Sequence, residues 1–416
     1  MTSPTDSDVV VVGAGPAGTA AAVVLARAGL RVTCLDRAVF PRDKCCGDGL
    51  TASALHQLEG LGLRPEAVAS WWPVAEVVLA SPSGRRVELT LPDSGLHAAV
   101  ARRFDLDAAL VELARRQGAE VVEGARVTRA EVDIDRVTLT TADGRRWRAG
   151  YVLGCDGVWS PLRKLVCPRP EARAYLGEWH AFRQYRRSDS PEARRLWVWF
   201  EPDLLPGYAW SFPLADGWVN FGFGVPRRPG EASGRLGSVL SELARRPGIA
   251  PVIGSEGAGH ATPKAWPIPA AVASGLLSAA GGRVLFAGDA ARAADPLTGE
   301  GIGQALETGA MAATAVLAAG AHRPGHAADH YRRRVGAGLA VDNRLAGRLS
   351  RLLATPLGAR AALRAADGSA WTRANFARWM WEDYPRAVLV TPGRWRRGML
   401  RPSGAFAPGA PAALPA

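Results

Sequence analysis

The stretch DVVVVGAGPAGTAAAVVLARAGLRVTCLDR occupies Asp8–Arg37. Val9–Val12 is an unbroken apolar run, the mark of a strand buried on both faces. Gly13, Gly15 and Gly18 follow in the spacing G-x-G-x-x-G, with Pro16 and Ala17 before the last glycine, and an Ala-rich helical stretch comes next. Each glycine has its own reason. Gly13 permits a tight turn, Gly15 lets backbone come close to a pyrophosphate, and Gly18 lets helix and strand pack closely. The start of the helix offers unpaired N–H groups and a positive dipole end to phosphates. A second strand, Arg31–Leu35, runs into Asp36 and Arg37. Asp36 lies 18 residues beyond Gly18, placed to accept from a ribose hydroxyl. Strand, glycine turn, helix, strand and acidic residue in that order predict a dinucleotide-binding α/β fold. The acidic residue favours an unphosphorylated ribose, which leaves FAD and NAD.

The whole chain has 416 residues and a formal charge of +12, and 48% of it is hydrophobic, so a soluble protein of two or three structural domains is expected. Only Lys44, Lys164 and Lys264 among 51 basic residues are lysine. With so much Ala and Gly, this arginine excess reads first as a GC-rich genome's codon bias, and second as a basic face for anionic lipid or cofactor. No nucleic-acid-binding pattern is found. The N-terminus lacks the basic and apolar regions of a secretory signal. The longest apolar candidate, MAATAVLAAGA at 311–321, is too short to span a bilayer. Five cysteines in a chain this long make no disulfide framework, and no metal site is expected. The expectation is a cytoplasmic protein, peripheral at most to the inner face of the membrane. Oligomeric state is not readable.

Three further segments narrow the cofactor. ARRFDLDAALVELARRQGAEVVEGARV (101–127) predicts a helix opened by Arg103, then a strand and a turn leading to Val127. YVLGCDGVWSPLRK (151–164) predicts a strand followed by Asp156-Gly157. RVLFAGDAARAADPLTGEGIGQALETG (283–309) predicts a buried strand into Gly288-Asp289. A loop with Pro296 follows, and Gly299, Gly301 and Gly303 lead into a long helix.

In this order the four segments resemble the flavoprotein hydroxylase and reductase superfamily with a glutathione-reductase-like FAD domain. The resemblance implies that Gly13–Gly18 and Asp36 hold the ADP half of FAD. It places Arg103 on the pyrophosphate side, Val127 by the adenine and Asp289 on a ribityl hydroxyl. Gly301 and Ile302 would present backbone N–H groups to the flavin pyrimidine, where a helix N-terminus stabilises negative charge. Arg37, Asp156, Pro296 and Gly299 complete the expected cofactor set. No second G-x-G-x-x-G follows a strand, so NAD(P)H or a reduced carrier would visit only transiently as electron donor.

Three local patterns point to one branch. FPRDKCCGDGL (40–50) is similar to a loop of geranylgeranyl reductases. YAWSFP (208–213) is similar to the same family's YxWxFP segment, and its alternation puts Tyr208, Trp210 and Phe212 on one strand face. DPLTGEGIGQALETG (295–309) also looks like this branch, and the stretch 375–400 looks like its actinobacterial members. The resemblance implies a Rossmann-like FAD-binding domain with an inserted antiparallel β-sheet substrate domain and a C-terminal helical region. FAD-binding segments are expected at 8–75, 101–170 and 271–325, and substrate-domain strands at 76–100 and 171–270. A helical region at 326–401 and a disordered tail at 402–416 follow.

The implied activity is hydrogenation of isolated C=C bonds in a small-molecule isoprenoid, by flavin hydride plus a proton. Tyr208, Trp210, Phe212 and Pro213 would line the substrate site. Cys46 and Tyr208 are the candidate acids. Cys46, Gly47 and Gly49 would let backbone approach the isoalloxazine. Adjacent Cys45 and Cys46 sit too close for a disulfide across a trans peptide, and Cys45 reads as incidental. An FAD-dependent aromatic or natural-product monooxygenase is the alternative, since Asp156-Gly157 suits both. An electron-transfer flavoprotein passing electrons to quinone is another, though cysteines spaced for an iron–sulfur cluster are missing. His322, His326 and His330 recur at four-residue spacing, but Pro324-Gly325 between them predicts a polar linker.

Overall fold

The computed structural model describes residues 4–168, 173–227, 233–254, 261–395 and 404–407. The first third runs β1 (Thr5–Val12), α1 (Pro16–Arg27), β2 (Val32–Leu35), β3 (Gly49–Thr51), α2 (Ala52–Gly60), β4 (Trp72–Pro73), β5 (Glu76–Ala80), β6 (Arg86–Thr90), β7 (Ala98–Val100) and α3 (Arg103–Arg116). Then come β8 (Glu120–Val122), β9 (Val127–Val132), β10 (Val137–Thr141), β11 (Arg146–Gly154), α4 (Pro161–Val166), β12 (Trp179–Arg187), β13 (Leu196–Trp199), β14 (Tyr208–Pro213) and β15 (Trp218–Pro226). The last part holds α5 (Ser233–Ala244), α6 (Ala250–Ile253), β16 (Lys264–Ile268), β17 (Ser278–Ala279), β18 (Val284–Phe286), α7 (Ile302–Ala319), α8 (Pro324–Ala337), α9 (Leu339–Leu352), α10 (Pro356–Ala366) and α11 (Ala370–Met380).

The opening stretch builds the centre of the first sheet, in the order β17-β18-β11-β1-β2-β8, with β9 and β10 beyond β11. β1 is parallel to β2 and to β11, and β18 is parallel to β11, so its core is a parallel nucleotide-binding sheet. Val9–Val11 are fully buried, as a central strand covered on both faces requires. α1 crosses α7 at very close range. A methyl group on Gly309 would stand 2.0 Å from the Ala17 carbonyl oxygen, so small residues set that approach. α7 is long and apolar enough to cross a membrane by length and composition, beyond what the apolar run at 311–321 promised. It is instead a core helix, 67% buried among α1, α2 and α8.

The second sheet runs β16-β12-β15-β14-β13-β5-β6. β5 and β6 from the 76–100 stretch join it, whereas β7 pairs with β3 and β4 in a small third sheet. β14 and β15 form a hairpin, with Asp216 and Gly217 at positive φ in its turn. One face of the sheet is covered by α5 and α6, and Phe182 stacks on Phe223 at 5.1 Å in that layer. The other face meets α11 and the cavities described below.

Two expectations are corrected here. Residues 404–407 do not behave as a disordered tail: Ala405 bridges Leu96, is fully buried, and sits beside Phe406, which meets Trp71 edge-on. The anchoring signal is one apolar pair inside a Pro/Gly/Ala stretch, too short to read as structure. The remainder, 402–403 and 408–416, lies outside the described residues, as do 396–401. The histidine stretch is not a linker either. Pro324 stands at the first turn of α8, where a missing N–H costs nothing, so His326 and His330 share one helix.

Candidate active site

A cleft of about 620 Å³ opens at the C-terminal ends of β1 and β2. Gly13 turns there with φ +102°, and a methyl group on it would fall 2.3 Å from the Cys155 carbonyl oxygen. Gly18 lies behind the cleft, where an added methyl would meet the Gly13 carbonyl at 1.8 Å. Gly15 is different: the nearest groups to its missing Cβ are the guanidinium ends of Arg42 at 3.6 Å and Arg103 at 3.9 Å. Two arginines thus face a helix N-terminus across a glycine cradle, an arrangement suited to a pyrophosphate.

Arg103 makes a bidentate pair with buried Asp107, both bonds 2.7 Å, and Arg42 reaches the same carboxylate at 3.0 Å. The shared counter-ion fixes both arginines while leaving one positive charge in excess. Arg42 was not anticipated, although its place in PRDK next to a glycine turn was a readable signal. Asp36 accepts from the Ala14 N–H at 2.7 Å and the Ala38 N–H at 2.8 Å, one on each oxygen. Each oxygen keeps a lone pair for a ribose hydroxyl. Arg37, Val127 and Asp156 also line the cleft. Asp156 Oδ2 accepts from the Leu162 N–H at 2.9 Å, and Oδ1 is buried without a hydrogen-bond partner among the described residues, an acceptor available to a ligand hydroxyl. These residues fit a dinucleotide.

The loop carrying the two cysteines is fastened to the second sheet. Buried Asp48, at φ +65°, accepts from the Tyr185 hydroxyl at 2.6 Å and Asn220 Nδ2 at 2.8 Å. The Asn220 amide also donates to the Cys46 carbonyl at 2.8 Å and accepts from Trp210 Nε1 at 3.1 Å. Buried Arg183 reaches Asp43 at 2.6 Å. A single polar residue inside the apolar strand WVNFGFG was the sequence signal for Asn220. Cys45 also lines the cleft, and its thiol donates to the Lys264 carbonyl at 3.4 Å, so it helps seat the loop on β16. Gly47 and Gly49 line the cleft, but their glycine requirement comes from the aromatic ladder. An added methyl on Gly49 would lie 2.9 Å from Phe212, and one on Gly47 would lie 3.4 Å from it.

The floor of the cleft is the loop 295–301. Asp295 Oδ1 gathers the Leu297 and Thr298 N–H groups, each at 2.8 Å, and Oδ2 takes Arg386 Nε at 2.9 Å. Gly299 has φ +68°, and Gly301 caps α7. The Ile302 N–H, expected to face the flavin, donates to Glu300 Oε1 at 3.0 Å, and the Gly303 N–H joins it at 3.1 Å. Asp289 lines the cleft and accepts from Lys44 Nζ at 2.9 Å. Pro296 is off the cleft, turned toward Gly347 on α9. Pro213, at the end of β14, also lines neither cavity.

A second cavity of about 900 Å³ adjoins the first. Its walls are Leu196, Val198 and Phe200 from the sheet, Leu345 and Leu349 from α9, and Phe376 and Met380 from α11. Sequence reading placed the substrate wall on β14 alone and missed the helices. Gly49, Tyr208, Phe212, Thr298 and Glu300 line both cavities and so mark their junction. The Tyr208 hydroxyl donates to the Thr298 carbonyl, and Trp210 faces only the cleft. Burial pushes the Cys46 thiol up to about 11 and the Tyr208 hydroxyl well above its usual range. Burial, with Glu382 nearby, pushes the Glu300 carboxyl up to about 8.

Comparison with known proteins agrees with this geometry. A family model described as an FAD binding domain matches residues 6–201. A menaquinone reductase of Mycobacterium tuberculosis is 36% identical over 359 residues, covering 82% of this chain and 83% of that protein. Digeranylgeranylglycerophospholipid reductase 1 of Methanopyrus kandleri is 33% identical, covering 73% and 79%. In fold, a geranylgeranyl bacteriochlorophyll reductase-like protein from Thermoplasma acidophilum matches with a TM-score of 0.75 at 19% identity, covering 94% of this chain and 100% of that one. The dinucleotide of the cleft is FAD.

Proposed function

The chain belongs to the geranylgeranyl reductase family of FAD-dependent oxidoreductases, and from that premise we propose that it hydrogenates isolated C=C bonds in a polyprenyl chain, carried by a quinone or a lipid. The observation that carries this reading is the apolar chamber, which meets the cofactor cleft at Tyr208 and Phe212. A polyprenyl tail has no charge to recognise, so its affinity must come from buried area. At ~0.8 kcal/mol per CH₂, a five-carbon unit gains on the order of 4 kcal/mol before ordering costs.

Bound and reduced, FAD supplies a hydride to carbon. Gly13, Gly15, Asp36, Arg42 and Arg103 would hold its dinucleotide half, and Asp289 with the 299–302 turn its flavin half. The chain's own side chains do the rest. Tyr208 and Phe212 orient the alkene and exclude water. An unactivated alkene is a poor hydride acceptor, so a proton must be delivered to the neighbouring carbon. Cys46 and Tyr208, the two groups expected from sequence, hold their protons tightly at neutral pH.

Around the chamber mouth Leu352, Trp371, Val390 and Trp395 are each more than half exposed. Arg344, Arg348 and Arg351 are exposed on α9 beside them. This pairing of apolar and cationic groups supports peripheral contact with an anionic inner membrane face, from which a lipid-borne tail enters. The electron donor is NAD(P)H or a reduced carrier that visits the cleft. The test is anaerobic: chemically reduced holoenzyme is mixed with menaquinone or a polyprenyl diphosphate, and products are weighed by mass spectrometry. Gain of two hydrogens per double bond is expected. Saturation of none of these, with NADPH-driven hydroxylation of an aromatic instead, sinks the reading.

A further inference from the structure

We propose that the Glu300 carboxyl is the group that gives the alkene its proton, an inference that rests on the polyprenyl-reductase reading above. A proton donor to a chain in the chamber, reduced from the cleft, has to face both spaces. Among the described residues five do so, and of these only Tyr208, Thr298 and Glu300 bear a side-chain group able to hold a transferable proton. The Tyr208 hydroxyl is committed to the Thr298 carbonyl. Thr298 Oγ1 donates to Asp295 Oδ1 at 3.0 Å and accepts from Arg386 Nη2 at 3.3 Å. Cys46 lines the cleft but not the chamber.

Glu300 is held on one side only. Both backbone donors, from Ile302 and Gly303, fall on Oε1, so a proton on Oε2 disturbs neither bond. The charges that face it come from three elements besides its own loop. Asp295 lies in that loop, ion-paired with Arg386. Tyr208 comes from β14, Cys46 from the 40–50 loop, and Glu382 with Arg386 from the segment after α11. Glu382, itself pushed up to about 7 by burial, is held by Arg386 at 3.1 Å, Gln304 at 2.9 Å and Thr51 at 3.1 Å. With its own value near 8, Glu300 is protonated at neutral pH yet releases its proton far more readily than a thiol near 11.

The balance is simple. The Glu300 O–H bond breaks and a C–H bond forms on one alkene carbon. The other carbon takes a hydride, so the alkene gains two electrons from reduced FAD. Glu300 is left as a carboxylate and regains its proton from solvent.

The experiment compares wild type, Glu300→Gln, Glu300→Asp and Tyr208→Phe as holoenzymes. Glu300→Gln should keep flavin content and KM within about twofold and lose turnover about 10²-fold or more. Glu300→Asp should recover part of that loss, and Tyr208→Phe should retain the pH profile. Wild-type turnover should fall above about pH 8, and the Gln variant should lack this limb. A readout free of turnover is infrared titration of substrate-free protein: a protonated-carboxyl band present at neutral pH should titrate near pH 8 and vanish in Glu300→Gln. A smaller turnover loss with the limb intact, or an unchanged carboxyl band, overturns the proposal. Should the Gln variant not fold, Glu300→Asp bears the same test, its band and limb shifting together if the proposal holds and neither moving if it fails. A wild type that saturates no polyprenyl, with the band behaving as expected, would overturn the reading beneath the proposal instead.

Discussion

The cofactor cleft joins a glycine turn and paired charges to aromatic side chains of the second sheet, whereas the chamber beside it is walled almost entirely by apolar side chains from that sheet and from α9, α10 and α11. The first accommodates a ligand of fixed shape, and at Gly13 it has no room for a methyl group. The second accommodates a flexible chain, and Leu and Met walls can repack around it. Errors in the two should therefore have different signatures. Damage to the cleft removes flavin, and damage to the chamber leaves flavin in place and weakens the tail.

The strongest way to break this contrast is Gly13→Ala. The residue needs positive φ and the new methyl would strike the Cys155 carbonyl. A cost of at least ~3 kcal/mol is expected, with nearly all visible flavin absorbance lost from the purified protein. Retained flavin would mean the cleft is softer than its geometry. Leu349→Trp is the matching change in the chamber. It should raise KM for a polyprenyl substrate about tenfold, equivalent to ~1.4 kcal/mol, with flavin content unchanged. A loss of flavin there would merge the two cavities into one cooperative unit.

Much of the cleft was legible because its requirements are local. A glycine spacing, an acidic residue at the end of a strand and four segments in order are patterns along the chain. Arg42 escaped because it acts through Asp107, 65 positions away in sequence and visible only once α3 packs on the loop. Glu300 escaped because it stands between two glycines whose backbone roles drew the reading. The chamber walls escaped for a more general reason. Leu345, Leu349 and Phe376 have the spacing of any helix that buries one face, so periodicity alone does not tell a core from a cavity. The tail failed in the same way, since one docked pair at 405–406 has no period.

Finer changes probe the cysteine loop on the cleft side of the contrast. Cys46→Ala should lower turnover several-fold with little loss of flavin, because the loop is held by the Cys46 carbonyl and Asp48 and not by the thiol. Cys45→Ala should change turnover less than about twofold, since its thiol makes one weak bond to Lys264. Steady-state assay of both separates a thiol that acts in the cleft from one that only seats the loop.

The smallest effect concerns pH. Glu307 on α7 is pushed up to about 7 by burial, with Asp342 adding to the shift. Its folded form holds a proton that the unfolded chain gives up at lower pH. Its contribution to stability therefore falls as pH rises from about 4.5 to about 7. Glu307→Gln should raise Tm on the order of 2 °C at pH 8 and little at pH 4. Equal gains at both values would point to packing and not to the proton.

The clasp of Asp48, Tyr185 and Asn220 has a consequence for anyone who would exchange parts between relatives. Asp48 belongs to the stretch before the first half of the sheet, while its two partners arrive more than a hundred positions later. A transplant of residues 171–270 from another member brings one half of the clasp and leaves the other behind. Without its amide and phenol partners, the carboxyl of Asp48 would be stranded in a dry place. Hybrids designed to alter which isoprenoid is taken should therefore carry 43–49 along with the sheet, as a single heritable cassette.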